Sequence, residues 1–207
     1  MCGTTRLEDA LAAARYGVDA LGFIFCAKSP RNIEPERAAE IIKQLPPLVD
    51  RVGVFVNAPL EQVVDASRAG LSYLQLHGSE SVEFCRKIRQ QLPFCKIIKA
   101  FRVSDQSRPE DFSPYNDCTD AFLLDTYVPG VSGGTGKVFD WAVIGRLKLQ
   151  RPIFLAGGLN PENVVEAIAQ VQPFAVDINS GVESQAGVKD HTCLRQLLQL
   201  VYQTAVP

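Results

Sequence analysis

The 207-residue chain carries almost no charge of one sign: 21 Lys and Arg stand against 23 Asp and Glu, a net of -2. That balance supplies no strong field, so neither nucleic acid nor an anionic membrane surface is expected as a partner. No apolar run approaches the length of a membrane span, and no basic, apolar leader precedes the first helical pattern. Histidine occurs only twice, at His77 and His191. The six cysteines (Cys2, Cys26, Cys85, Cys95, Cys118 and Cys193) include no C-x-x-C pair. Zinc ligation by the usual spacing is therefore not expected, and scattered thiols in a chain this long fit a reducing cytoplasm better than a disulfide scaffold. Linkers, low-complexity tracts and repeats are also lacking, so residues 1–207 are expected to form one domain.

What is there is alternation. Seven short apolar runs read as strands: "ALGFIF" (20–25), "RVGVFVN" (51–57), "YLQLHG" (73–78), "KIIKAFRV" (96–103), "DAFLLDT" (120–126), "PIFLAGG" (152–158) and "FAVDINSG" (174–181). Their β-branched and aromatic content, apolar on both faces, is that of buried parallel strands. Helical periodicity fills the intervals, as in Leu7, Ala10, Leu11, Ala14 and in Leu194, Leu197, Leu198, Val201. Thr5 with Glu8 reads as a capping box, and Asn160 before Pro161 as a helix start. Gly17 and Gly70 read as stops, and 105–117 offers at most a short helix. Strand-helix units in series mean an α/β fold, either an open doubly wound sheet or a closed (β/α)₈ TIM barrel. Seven strands after an opening helix is one short of the barrel. The expected fold is that barrel with its first β-strand missing or truncated at the N-terminus, just before Cys2, which would leave the edges of "ALGFIF" and "FAVDINSG" unpaired.

In a barrel, chemistry gathers at the C-terminal strand ends. Those ends carry Cys2, Cys26 to Arg31, Asn57, His77, Arg102, Asp125, Gly157 with Gly158, and Asp177 to Gly181. "LAGGLNPENV" and "DINSGVE" place glycines and Ser180 in two strand-to-helix turns, where backbone N–H groups receive phosphate, unless both are ordinary turns. "DTYVPGVSGGTGK" (125–137) is no P-loop, because Val131 occupies the first glycine position and Val138 follows Lys137. It reads as a lid or as a plain connection. Asp125 ends an apolar strand, as a protonated acid or as a paired carboxylate. Asp177 is read as a hydrogen-bonding support. His77 fits a substrate contact or a place in the hydrogen-bonded top layer. Arg31 suits carboxylate recognition or solvent. Cys2, placed before a helix start, is either an activated thiol or an idle terminal cysteine.

Taken together, "CGTTRLEDALAAARYGVDALGFIF", "KSPRNIEPERA", "VGVFVN", "LQLHGSE", "LLDTYVPGVSGGTGKVFDW", "LAGGLNPENV" and "VDINSGVESQAGVKD" resemble the phosphoribosylanthranilate isomerase family over essentially the whole chain. The resemblance implies a tryptophan-biosynthetic isomerase that uses no metal and no organic cofactor. It implies an Amadori rearrangement of N-(5-phosphoribosyl)anthranilate, a phosphorylated small molecule, with Asp125 as general acid and Cys2 as general base. Arg31 falls where the anthranilate carboxylate is held. Gly157, Gly158, Ser180 and Gly181 fall on the phosphate loops, and Asp177 and His77 on polar positions of the top face. The first helix is expected to favour the Cys2 thiolate and burial to favour protonated Asp125. A monomer is expected. Thr4, where an aliphatic residue is usual, and Asn179, where serine is common, depart from the pattern. Two alternatives remain open at this point. One is another phosphate-binding barrel, such as a different sugar-phosphate isomerase, a synthase or an aldolase; an aldolase wants a Schiff-base lysine at a strand end, and Lys99 lies inside "KIIKAFRV" with no separate support for that role. The other is a barrel that binds ligand without turnover.

Overall fold

A computed structural model describes residues 1–126 and 141–205. Seven parallel strands form one sheet in sequential order: β1 (Ala20–Ile24), β2 (Asp50–Phe55), β3 (Tyr73–Leu76), β4 (Lys96–Arg102), β5 (Ala121–Asp125), β6 (Ile153–Ala156) and β7 (Ala175–Val176). A short antiparallel pair, β8 (Glu183–Gln185) and β9 (Val188–Lys189), follows. The described α-helices are α1 (Leu7–Arg15), α2 (Pro35–Ile42), α3 (Leu60–Ser67), α4 (Val82–Gln91), α5 (Ala142–Arg146), α6 (Val164–Val171) and α7 (His191–Ala205). Between β4 and β5 stand only two 3₁₀ turns, Pro109–Asp111 and Ser113–Tyr115, in the stretch where the sequence pattern is weakest.

The strands alternate strictly. Leu21, Phe23, Phe55, Leu74, Leu76, Ile97, Phe122, Leu124 and Leu155 point outward and pack with the helices in the main core. The opposite face carries a smaller cluster of Ile98, Ala100, Ala121, Leu123 and Ala156, with Val52, Tyr73 and Phe154 against it. Two apolar layers, one inside the sheet and one outside, explain why the strands read as unbroken apolar runs.

Residues 1–4 join the two ends of the sheet. Gly22 N–H donates to Met1 O at 2.8 Å and Thr4 N–H to Gly22 O at 2.9 Å, while Cys2 N–H donates to Ile178 O at 2.8 Å. The Met1 amino group donates to Ala20 O at 2.9 Å. One extended segment that bonds both β1 and the chain leaving β7 puts those two edges a strand's width from each side of it. The sheet is thus a (β/α)₈-type barrel. This corrects the expectation of two unpaired edges, since their upper ends are paired through Met1–Thr4. Below that bridge, an apolar hollow of about 280 Å³ lies between Ala20 on one side and Ala175 and Val176 on the other.

Several local expectations change. Helix α1 begins after Arg6, with no side-chain cap. Thr5 Oγ1 instead donates to Gly187 O at 2.6 Å, tying the helix entrance to the β8–β9 turn. Helix α6 begins at Val164, three residues after Pro161. Asn160 and Asn163 organise the turn before it: Asn160 Oδ1 accepts from Glu162 N–H, Asn163 Oδ1 accepts from Asn160 N–H, and Asn163 Nδ2 donates to Gly158 O at 3.1 Å. Gly17 and Gly70 do end helices, with φ of 91° and 97°.

Candidate active site

A cavity of about 450 Å³ opens at the C-terminal ends of the strands. Cys2, Arg31, His77, Asp125, Gly157, Gly158, Asp177, Ser180 and Gly181 all line it, and Gln75 and Asn179 lie among them. These nine candidate residues therefore reach one space, and Arg102 does not line it. Of the stretch 125–137, Asp125 lines it; residues 127–137 lie outside the described residues.

The mouth of the barrel is held by polar ties between neighbouring strands. Thr126 Oγ1 donates to Ala156 O at 2.9 Å, fixing the end of β5 to that of β6. Glu80 accepts from the backbone N–H of Asn57 and of Gly78, and Lys99 Nζ donates to Glu80 Oε2 at 3.1 Å and to the carbonyls of Leu76, Gly78 and Ala100. Both side chains of this pair are 3% exposed. Lys99 is on the outward face of β4, saturated with acceptors, and does not line the cavity. A Schiff-base role for it is not supported.

Glycines set how closely the pieces approach. A Cβ on Gly22 would lie 2.9 Å from Cys2 Sγ, so β1 is bare where the thiol packs on it. A Cβ on Gly181 would lie 1.9 Å from Leu159 O, so the two turns proposed for phosphate are pressed together through that glycine.

The electrostatics of Cys2 differ from expectation. Burial raises its thiol to about 12, the charge of Asp177 adds to the rise, and the Met1 amino group, Lys189 and the Gly3 N–H oppose it only in part. Helix α1 starts five residues later. The expectation of a favoured thiolate is corrected: burial and the charge of Asp177 push the thiol up, so the resting thiol is protonated. Asp177 is also raised, by its own burial first, with Met1, His77 and Lys189 acting the other way.

Arg31 forms a two-pronged pair with Glu183, Nε to Oε1 at 2.9 Å and Nη2 to Oε2 at 2.6 Å. Lys189 Nζ donates to the same carboxylate at 2.8 Å and to Asn179 Oδ1 at 3.0 Å. Burial works against the Glu183 charge, but the hydrogen bonds from Arg31 and Lys189 outweigh it and hold that carboxyl below its ordinary value. The Arg31 guanidinium is thereby oriented toward the cavity by a buried anchor rather than left in solvent. Near Asp125, His77 Nε2 lies 3.5 Å from Oδ2, and Gln75 Nε2 lies 2.9 Å from His77 Nδ1. A smaller hollow of about 280 Å³, lined by Arg102 on β4, adjoins the same His77 and Asp125.

Sequence reading passed over Gln75, Glu183 and Lys189. Gln75 left a signal: a lone amide between Leu74 and Leu76 must point to the inner face if the leucines point out. Glu183 and Lys189 stand on the unforeseen β8–β9 pair, and nothing local marks them as partners of Arg31. Thr4, the departure noted above, is buried with its hydroxyl unpartnered among the described residues. Asn179 carries an acceptor for Lys189, which gives its amide a structural use. Among the described residues, His, Cys, Asp and Glu form no cluster suited to a metal.

Comparison with known proteins agrees with this geometry. The family model for N-(5'-phosphoribosyl)anthranilate isomerase matches residues 1–200. The curated isomerase of Geotalea uraniireducens is 49% identical over 96% of this chain and 95% of its own. That of Thermotoga neapolitana is 47% identical over 96% and 95%. The crystal structure of phosphoribosyl anthranilate isomerase from Thermotoga maritima superposes with a TM-score of 0.85 at 44% identity, covering 98% of this chain and 97% of that one. A crystal structure of the isomerase in complex with reduced 1-(o-carboxyphenylamino)-1-deoxyribulose 5-phosphate superposes at 0.81 with 41% identity, covering 98% and 96%.

Proposed function

The chain belongs to the N-(5'-phosphoribosyl)anthranilate isomerase family, and from that premise we propose how its cavity performs the rearrangement. The reaction, a step of tryptophan biosynthesis, converts N-(5-phosphoribosyl)anthranilate into 1-(2-carboxyphenylamino)-1-deoxyribulose 5-phosphate. Asp125 gives a proton to the ribose ring oxygen as the C1–O bond breaks, and the anilino nitrogen lone pair closes a C1=N⁺ bond. Cys2, its own thiol proton lost to solvent, then takes the proton from C2 as a thiolate. The C–H electron pair becomes a C1=C2 bond, the iminium nitrogen is neutralised, and the enolamine becomes the ketone as its O2 hydroxyl gives up a proton and C1 gains one. Arg31, held by Glu183, receives the anthranilate carboxylate. The paired turns at Gly157, Gly158, Ser180 and Gly181 receive the phosphate. His77 and Asp177 line the space between acid and base.

The raised Cys2 thiol sets the order of events. A positive charge within a few ångströms favours thiolate. Ring opening creates that charge at C1, beside the very hydrogen that is to be removed, so acid catalysis precedes base catalysis. Nine residues from seven places in the chain lining one cavity of about 450 Å³ is the observation that carries this assignment.

A monomer is the proposed working unit, and a cavity lined by residues from Cys2 to Gly181 supports one domain. Sedimentation of the active protein tests the first point. No described helix is long and apolar enough to cross a membrane, and all six cysteines are free. Both observations support a cytoplasmic enzyme.

Variants Cys2→Ser and Asp125→Asn test the roles. Each should lower kcat by roughly 10²–10⁴-fold, the usual contribution of a general acid or base, while the reduced product analogue still binds in calorimetry. Turnover of either variant near the wild-type rate refutes the assignment.

A further inference from the structure

Gln75 is buried at 4% exposure in the interior of the barrel and has no place in the scheme above. Its Nε2 approaches His77 Nδ1 at 2.9 Å. In this orientation the amide NH₂ donates, which makes Nδ1 the accepting nitrogen of the ring. The ring hydrogen is then on Nε2, the nitrogen 3.5 Å from Asp125 Oδ2. We propose that Gln75 is a positioning residue that fixes the His77 tautomer and thereby decides which oxygen of Asp125 carries the catalytic proton. The inference rests on the acid role of Asp125 given above.

A donor facing Oδ2 excludes a hydrogen from that oxygen. The proton that Asp125 delivers is then carried on Oδ1, and when it leaves, the new carboxylate keeps one hydrogen bond from His77. The opposite tautomer reverses both effects. Its Nε2 lone pair would draw the Asp125 hydrogen onto Oδ2 and compete with the ribose ring oxygen for it. The distance of 3.5 Å is long for a hydrogen bond, as catalytic contacts in an unliganded site commonly are. The side chains share a face for a simple reason. Residues 75 and 77 are two apart along β3 and its extension, so both project into the barrel, and Gly78 then turns the chain where a Cβ would meet Asn57.

The test uses the full chain labelled with ¹⁵N-histidine. Only His77 and His191 contribute, and His77→Asn assigns the pair. Long-range ¹⁵N–¹H correlation at pH 8 should show the wild-type His77 hydrogen on Nε2. In Gln75→Glu, whose carboxylate only accepts, it should move to Nδ1. The same variant should lose roughly 10-fold or more in kcat, part of the general-acid contribution, with KM within about 2-fold because the substrate contacts remain. Gln75→Met, which keeps the volume without a donor, should give mixed tautomers and an intermediate kcat. Wild-type His77 protonated on Nδ1 overturns the proposal outright. So does a Gln75→Glu protein with the reversed tautomer and unchanged kcat. If instead the wild-type protein turns over no phosphoribosylanthranilate, the acid role of Asp125 fails, and the spectra still judge the tautomer separately.

Discussion

Replacing Gly181 by alanine tests whether the two turns at the end of the barrel form one phosphate cradle. The added Cβ would sit 1.9 Å from Leu159 O, 2.8 Å from Leu159 C and 3.1 Å from Asn160 Cβ. Carbon and oxygen do not approach closer than 3.0 Å in real Cβ contacts, so the turns must part by about 1 Å. Leu159 is 2% exposed and is anchored in the main core, and Asn160 is locked to Asn163, so neither yields freely. Two consequences follow from that displacement. Overpacking of this kind costs about 1–3 kcal/mol, which for a chain of this length lowers Tm by roughly 2–12 °C. A group misplaced by about 1 Å in a catalytic site costs on the order of 10²-fold in rate, and that loss should fall on kcat/KM through weaker capture of the phosphate end. Gly70→Ala separates the two effects. Its φ of 97° makes any side chain strained, but the Cβ would be 3.4 Å from Ile42 Cγ2, behind α3 and far from the cavity. It should lower Tm by a few degrees, for about 1–2 kcal/mol of left-handed strain, and leave kcat/KM unchanged. Steady-state kinetics and thermal melts of both variants, with isothermal titration of the reduced product analogue, make the comparison. If Gly181→Ala keeps kcat/KM within twofold of wild type, the turns are not a joint cradle.

The Glu80–Lys99 pair gives a second outcome. Glu80→Gln strips a buried lysine of its counter-charge, and urea unfolding should show a loss of about 3–5 kcal/mol. Gly145 in α5 offers the opposite sign: a Cβ there meets nothing within 4 Å, so Gly145→Ala should stabilise by roughly 0.5–1 kcal/mol in the same assay. Cys2 should resist iodoacetamide at pH 8, where a thiol raised to about 12 is thiolate in only about one molecule in 10⁴. Peptide mapping should find Cys2 unmodified until the protein is unfolded. Because the folded thiol titrates near 12 and the unfolded one near 9.0, the unfolded state releases its proton first. The Cys2 contribution is intact below pH 9 and is lost as pH rises toward 12, which a denaturation series over that range measures.

The sequence by itself determined the order of strands and helices, because period-2 and period-3.6 patterns are written in neighbouring residues. Each strand run, from "ALGFIF" to "FAVDINSG", contains its observed strand, with Asp50 of β2 the one residue outside, and most of the candidate residues at the strand ends reach the same cavity. That much follows from two local facts: parallel strands point their C-terminal ends one way, and glycine and polar residues interrupt apolar runs where strands stop. Only the tertiary structure decided the states of those residues. The Cys2 thiol is pushed up because folding buries it beside Asp177, a residue far along the chain, and the local cue of a nearby helix start pointed the other way. Arg31 is aimed by Glu183 and Lys189, and His77 meets Gln75 on one side and Asp125 of β5 on the other. Protonation and orientation depend on burial and on charges within a few ångströms in space, and the closing of the barrel, with residues 1–4 bonded to both β1 and the chain after β7, is what brings those charges together.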